Sequence, residues 1–279
     1  MEAVFATDLS EATGAAIESR TCLECLSRIG VETVHVVTVV SSNVHYGVPG
    51  MTKPREKALS RQRRTIEDAG FDVDVHVVRG PPHQRINGIA KRVDADLILV
   101  GSRGRGESDR RVLGSTARNV VRAATRPVLV ERIVEDDGPE IVREHLFERM
   151  LYATDFSENA ERAFDQFRVV QDAVEEATLV HVQGPEQERI DDDRAEAHEK
   201  LETLASELAT LGIDAETMVR TGNPEEEILA AEDEVEPTTV LVGARGLSRL
   251  RRLLLGSVSE TVLEEASANV LVVPPRGRR

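Results

Sequence analysis

The sequence predicts an α/β protein built of two similar halves, each a parallel, doubly wound sheet, and three observations carry that reading. First, one glycine-bearing stretch is written twice. Residues 100–116 read VGSRGRGESDRRVLGST and residues 242–258 read VGARGLSRLRRLLLGSV, so Gly101, Gly104 and Gly114 recur as Gly243, Gly246 and Gly256, in every case 142 positions later. Second, each copy follows a short, wholly apolar run, 97–100 and 240–242, as a strand buried on both faces does. Third, 279 residues suit two domains of roughly 140. The composition, 40% hydrophobic but only 3% aromatic with no Trp, suits cores of Val, Leu, Ile and Ala.

Each element then follows in order, twice. Residues 3–6 form a strand closed by Thr7-Asp8, and Ser10 caps a helix running to about Ile29. Residues 151–153, Thr154-Asp155 and Ser157 repeat this, with a helix to about Glu176; the shared letters are ATD-[LF]-SE. Apolar strands follow at 33–40 (TVHVVTVV) and 178–183 (TLVHVQ), in which His35 and His181 are taken as counterparts and read as packing residues. Helices over about 54–69 and 189–211 end at Gly70 and Gly212, good positions for a left-handed residue past a helix. Strands over 71–78 and 213–219 lead through Gly80-Pro81-Pro82 and Gly222-Asn223-Pro224 into short helices ending near Val93 and Ala231. After the glycine stretches come helices over 115–124 and 257–266 and final strands over 127–130 and 269–273. Each half thus reads β-α-β-α-β-α-β-α-β, which right-handed crossovers wind into a parallel sheet. The domains are expected at 1–133 and 149–279, with 134–148, containing EDDGPE, as linker.

The glycines give the stretch its chemistry. They let backbone N–H groups approach a ligand that a Cβ would hold off, and a Gly-Ser at a helix start offers unsatisfied donors and a positive dipole end to an anion. Each copy is therefore read as a phosphate cradle. It is not a Walker loop, because neither Gly114-Ser115 nor Gly256-Ser257 has the required Lys, and Gly101, Gly104 and Gly106 are wrongly spaced for a dinucleotide fingerprint. Arg103, Arg245, Arg110-Arg111 and Arg249–Arg252 either neutralise phosphates or pair with the abundant acids.

Taken together, G-2x-G-9x-G-S, the aspartate ending strand one and the VHV strand, all present twice, resemble the ATP-binding branch of the universal stress protein family, as a tandem pair covering essentially the whole chain. The resemblance implies two Rossmann-like domains of the adenine nucleotide alpha hydrolase type, each a five-stranded parallel sheet of order 3-2-1-4-5 with helices on both faces. By the family's pattern the base contacts fall on Asp8 and Val36, and on Asp155 and Val182. The phosphate and ribose contacts fall on Gly101, Gly104, Gly114, Ser115 and Thr116, and on Gly243, Gly246, Gly256, Ser257 and Val258. The implied ligand is ATP or another adenine nucleotide, with Mg²⁺ bridging phosphates if it is hydrolysed. The expected role is stress-response regulation with at most weak ATPase activity, against a slow Mg-dependent ATPase or phosphotransfer protein, or a nucleotide-free scaffold, as alternatives. Members of the family join domains through the last strands, so an intramolecular pseudo-dimer is expected, with homodimerisation of the whole chain left open.

Other features narrow the class. A net charge of −15 disfavours nucleic acid as a partner. No apolar run reaches the ~20 residues of a membrane span and the N-terminus shows no signal-peptide pattern, so a cytoplasmic protein is expected. Lys53, Lys57, Lys91 and Lys200 are the only lysines; an acidic, lysine-poor chain suits either a halophile or a GC-rich genome. Cys22 and Cys25 stand at helical spacing with no second pair to complete a metal site. They read as small packing residues, with a redox pair as the alternative.

Overall fold

Strand β1 (Glu2–Thr7) lies at the centre of the first half, paired in parallel with β2 (Thr33–Val40) on one side and β4 (Leu97–Gly101) on the other. Beyond β2 lies β3 (Asp72–Arg79), and beyond β4 lies β5 (Val128–Glu131), giving the order β3-β2-β1-β4-β5. The connecting helices are α1 (Arg20–Arg28), α2 (Lys53–Asp68), α3 (Pro82–Arg92) and α4 (Ser115–Ala123). A short antiparallel ribbon of β6 (Ile133–Val134) and β7 (Ile141–Val142) follows. This computed structural model describes residues 1–10, 13–14, 20–40, 52–102, 113–134, 141–142, 146–184, 191–246 and 255–276.

The second half repeats the plan. Strands β8 (Arg149–Ala153), β9 (Glu176–Gln183), β10 (Asp214–Thr221), β11 (Thr239–Gly243) and β12 (Asn269–Val273) pair in parallel in the order β10-β9-β8-β11-β12. Helices α5 (Glu158–Phe164), α6 (Phe167–Val170), α7 (Asp191–Thr210), α8 (Pro224–Val235) and α9 (Ser257–Glu265) connect them. The chain divides into two compact units, Met1–Glu144 and His145–Arg279.

The apolar runs bury as their composition dictates. Leu97 to Val100 and Val240 to Val242 are all buried, and β5 and β12 are buried along their whole length. The middle helices match by their ends. Leu59 and Ile66 of α2, and Leu201 and Leu208 of α7, face the core at equal distances from Gly70 and Gly212, both with positive φ. Phe71 N–H then donates to Ile66 O, and Ile213 N–H to Leu208 O.

Three sequence expectations shift. The helix expected from Ser157 to about Glu176 breaks into α5, α6 and a 3₁₀ turn (Gln171–Ala173), and Glu176 already belongs to β9. Phe164, Phe167 and Tyr152 pack ring against ring at 5.5 to 6.1 Å between centroids, so aromatic packing holds the two short helices on the sheet. The helix expected to end near Ala231 runs to Val235 and closes on Glu236 in a left-handed conformation. Leu146 and Phe147, placed in the linker by sequence, are fully buried, and Leu146 O accepts from Thr239 Oγ1.

Candidate functional site

The end of the first strand sets the geometry identically in both units. Leu9 and Phe156, each following the aspartate, have φ of 61° and 57°, a left-handed conformation uncommon outside glycine. It is held from both sides. Leu9 N–H donates to Thr7 Oγ1 and Ser10 N–H to Asp8 Oδ1; Phe156 N–H donates to Thr154 Oγ1 and Ser157 N–H to Asp155 Oδ1, all at 2.9 to 3.1 Å. The strained turn fixes the carboxylate at the carboxyl end of the sheet, beside the point where winding reverses between β1 and β4 or β8 and β11.

Across that point the described ends of the two glycine stretches match. Gly114 N–H donates to Ser102 O at 2.7 Å and Gly256 N–H to Ala244 O at 2.9 Å, closing each loop on its own start. Gly114 and Gly256 are then helix caps with no side-chain hydrogen bond to α4 or α9, so no cap side chain takes up the first-turn amides. The second unit shows why glycine is needed. A Cβ on Gly243 would sit 3.0 Å from the Asn159 carbonyl oxygen, and one on Gly246 would collide with Asp155 Oδ2.

These parts line two clefts of matching size, about 260 and 270 Å³. Asp8, Gly101, Gly114, Ser115 and Thr116 line the first; Asp155, Val182, Gly243, Gly246, Gly256, Ser257 and Val258 line the second. Pro82 and Ile86 of α3, and Pro224 and Ile228 of α8, cover them. Of the residues singled out by sequence, Gly104 lies outside the described residues, as do Arg103, Arg110, Arg111 and Arg249 to Arg252, while Arg245 lines the second cleft.

Val36 is the exception. It pairs with Phe5, is fully buried and does not line the cleft; Val37 and Val39 do. The cause is register. Ala6 lies beside Val37 as Ala153 lies beside Val180, so the counterpart of Val182 is Val39 and that of His181 is Thr38, not His35. Matching the two histidines slips the strand by three residues, an odd number, and turns the side chain to the opposite face.

The histidines differ accordingly. His35 bonds Glu2 through Nε2 and approaches His76 Nε2 at 3.2 Å through Nδ1. His181 donates from Nδ1 to Thr154 O at 2.8 Å and packs 4.5 Å from the Phe156 ring; burial pulls its pKa below the usual imidazole range. It therefore buttresses the aspartate turn as a neutral ring.

Two residues at the site gave no signal in the sequence. Asn159, buried behind the glycine loop, donates to Val273 O and accepts from Arg245 N–H, so it clamps the loop to β12. Ser259 donates to Gly243 O at 2.6 Å. Cys22 and Cys25 are buried in unit one and not joined in a disulfide. Burial, reinforced by Glu131, pushes the Cys22 thiol well above its ordinary value, which suits packing rather than thiolate chemistry.

Comparison with known proteins settles the family. The universal stress protein family model matches residues 2–132 and again 146–274. The chain belongs to the universal stress protein family. A universal stress protein of Methanocaldococcus jannaschii is 28% identical over 154 residues, 46% of this chain and 95% of that protein. One from Bacillus subtilis is 30% identical over 148 residues, 46% of this chain and 99% of that one. The crystal structure of a universal stress protein from Archaeoglobus fulgidus aligns with a TM-score of 0.75 at 27% identity, covering 99% of this chain and 98% of that one. Among the described residues, no helix is long and apolar enough to cross a membrane.

Proposed function

We propose that this chain is a cytoplasmic, nucleotide-binding universal stress protein in which each unit holds an adenine nucleotide, ATP foremost, as a regulatory signal. The observation that carries the reading is the coincidence, in both units, of a strand-one carboxylate and a side-chain-free helix start on the walls of one cleft. Asp8 and Asp155 accept from the base, beside the main chain of Val39 and Val182. The amides of Gly114 to Thr116 and Gly256 to Val258 receive the phosphates, where the dipoles of α4 and α9 favour negative charge. Gly246 keeps its loop within reach of Asp155, because the space a Cβ would need is filled by the carboxylate. Gly104 takes that part in the first unit by sequence.

The test is thermal unfolding of the full chain with and without nucleotide. A ligand at a hundred times its Kd adds about 2.7 kcal/mol to stability, so ATP should raise the melting temperature by several degrees. A melting temperature unmoved by ATP, ADP and AMP contradicts the reading. Continuous phosphate release in Mg²⁺ that scales with protein and disappears in Gly243→Val would replace the signal with a slow ATPase.

A further inference from the structure

The clefts share their phosphate-facing wall but not the opposite one. In each unit β3 or β10 and β5 or β12 lie at opposite ends of the strand order. Gly114 to Thr116 begin α4, which packs on β5, whereas Arg55 comes from the first turn of α2, which packs on β3. Arg55 therefore reaches the first cleft on the flank of Val37 and Val39, away from the helix start that offers amides to an anion. Counting from the matched helix ends, Gly70 and Gly212, its counterpart in the second unit is Ala197, a buried alanine. The surroundings follow suit. Thr13 lines the first cleft and donates to Asp8 Oδ1 at 2.9 Å, and Thr7 Oγ1 donates to Gln62 Oε1 at 3.0 Å. At these places the second unit has Ala160 and Leu204.

We infer that Arg55 is a specificity-determining residue of the first cleft: its guanidinium contacts the planar, acceptor-bearing base of the ligand rather than its phosphates, and makes the two clefts unequal. This rests on the nucleotide reading above. An elongated anion anchored at the start of α4 presents its other end to Arg55, and a guanidinium both stacks on a ring and donates to ring acceptors. Among the described residues, the second cleft has Val180, Val182 and Ile228 beside Asp155, and its one arginine, Arg245, comes from the glycine stretch rather than from α7. The first cleft should therefore prefer ATP over inorganic tripolyphosphate more strongly than the second does.

The experiment uses calorimetric titration of the full chain with ATP and with tripolyphosphate. A carboxylate placed at Val258 or Thr116, in the first turn of the helix, repels an anionic ligand from one cleft and suits the helix dipole, so Val258→Asp leaves the first cleft and Thr116→Asp the second. In Val258→Asp, adding Arg55→Met should weaken ATP about tenfold, the scale of one charge-assisted contact, and leave tripolyphosphate unchanged; Arg55→Lys should recover only part. In Thr116→Asp, Arg55→Met should change neither. Equal weakening of ATP and tripolyphosphate puts Arg55 on the phosphates and overturns the assignment, as does no change in ATP binding with the melting temperature preserved. Absence of ATP binding in the parent chain instead removes the nucleotide reading itself, and the assignment with it.

Discussion

The first unit lines its cleft with Asp8, Thr13 and Arg55 and bonds Gln62 to Thr7; at the corresponding sequence positions the second has Asp155, Ala160, Ala197 and Leu204. Between the same two units the aspartate turn and the loop-closing Gly114 and Gly256 hydrogen bonds agree to within about 0.2 Å. The difference shows what each part is made of. The wall at the starts of α4 and α9 is shaped by main chain, and its hydrogen bonds survive change in side chains. The opposite wall is side chain, so it is where two copies of one fold diverge.

A second divergence sits behind the loops. Glu131 pairs with Gly101 as Val273 pairs with Gly243, and both accept from the residue after that glycine, Ser102 or Ala244. Glu131 is fully buried, its Oε1 accepts from the Cys22 thiol at 3.3 Å, and its Oε2 has no hydrogen-bond partner among the described residues. Burial raises its pKa from 4.5 to about 7, against the smaller opposing effect of the Cys22 hydrogen bond. The second unit has an apolar side chain there and gives the clamping role to Asn159.

Experiments can break or sharpen this comparison. The largest effect is expected from Gly246→Val, whose side chain must displace Asp155; calorimetry should count one ATP per chain where the parent binds two. Next is Glu131. Its folded pKa lies above the unfolded value, so the stability it contributes is present below pH 4.5, is lost as pH rises to about 7, and is flat beyond. Urea unfolding at pH 4 and pH 8 should show the parent losing about 3 kcal/mol relative to Glu131→Gln, at 1.36 kcal/mol per pKa unit. An identical pH slope in the two proteins refutes the buried carboxyl. Asn159→Ala removes its hydrogen bonds to the Val273 carbonyl, which keeps that from Ala244 N–H, and from the Arg245 amide, and should cost about 1 to 3 kcal/mol, with weaker ATP binding in the second cleft alone. Smallest is the exchange of Thr116→Val with Val258→Thr. If only the amide at that position meets phosphate, each affinity should move by less than about 0.5 kcal/mol, as for surface substitutions generally.

How much of this stood in the sequence follows the same division. The glycine stretches and the ATD turns were readable because backbone demands restrict residue choice: a close approach needs Gly, and the turn needs Thr and Asp oxygens. The register of β2 was not. Seven of its eight residues are buried or face a cleft on either side, so TVHVVTVV carries no alternation to set a face, and His35 offered a false match to His181. The break between α5 and the 3₁₀ turn has no Gly or Pro to announce it and arises from aromatic packing. Arg55, Asn159 and Glu131 were unreadable for another reason: each acts on residues distant in the chain, Asn159 on Val273 and Arg245, Glu131 on Cys22, and Arg55 in the cleft of Asp8, which no local pattern records.

The most direct test of the account is equilibrium dialysis of the intact chain against labelled ATP. Two ATP molecules bound per chain, falling to one in Val258→Asp and to none when Thr116→Asp is added, is the expected result. Saturation with no bound nucleotide, or binding that survives both substitutions, contradicts the claim that main-chain amides at the starts of α4 and α9 hold the phosphates.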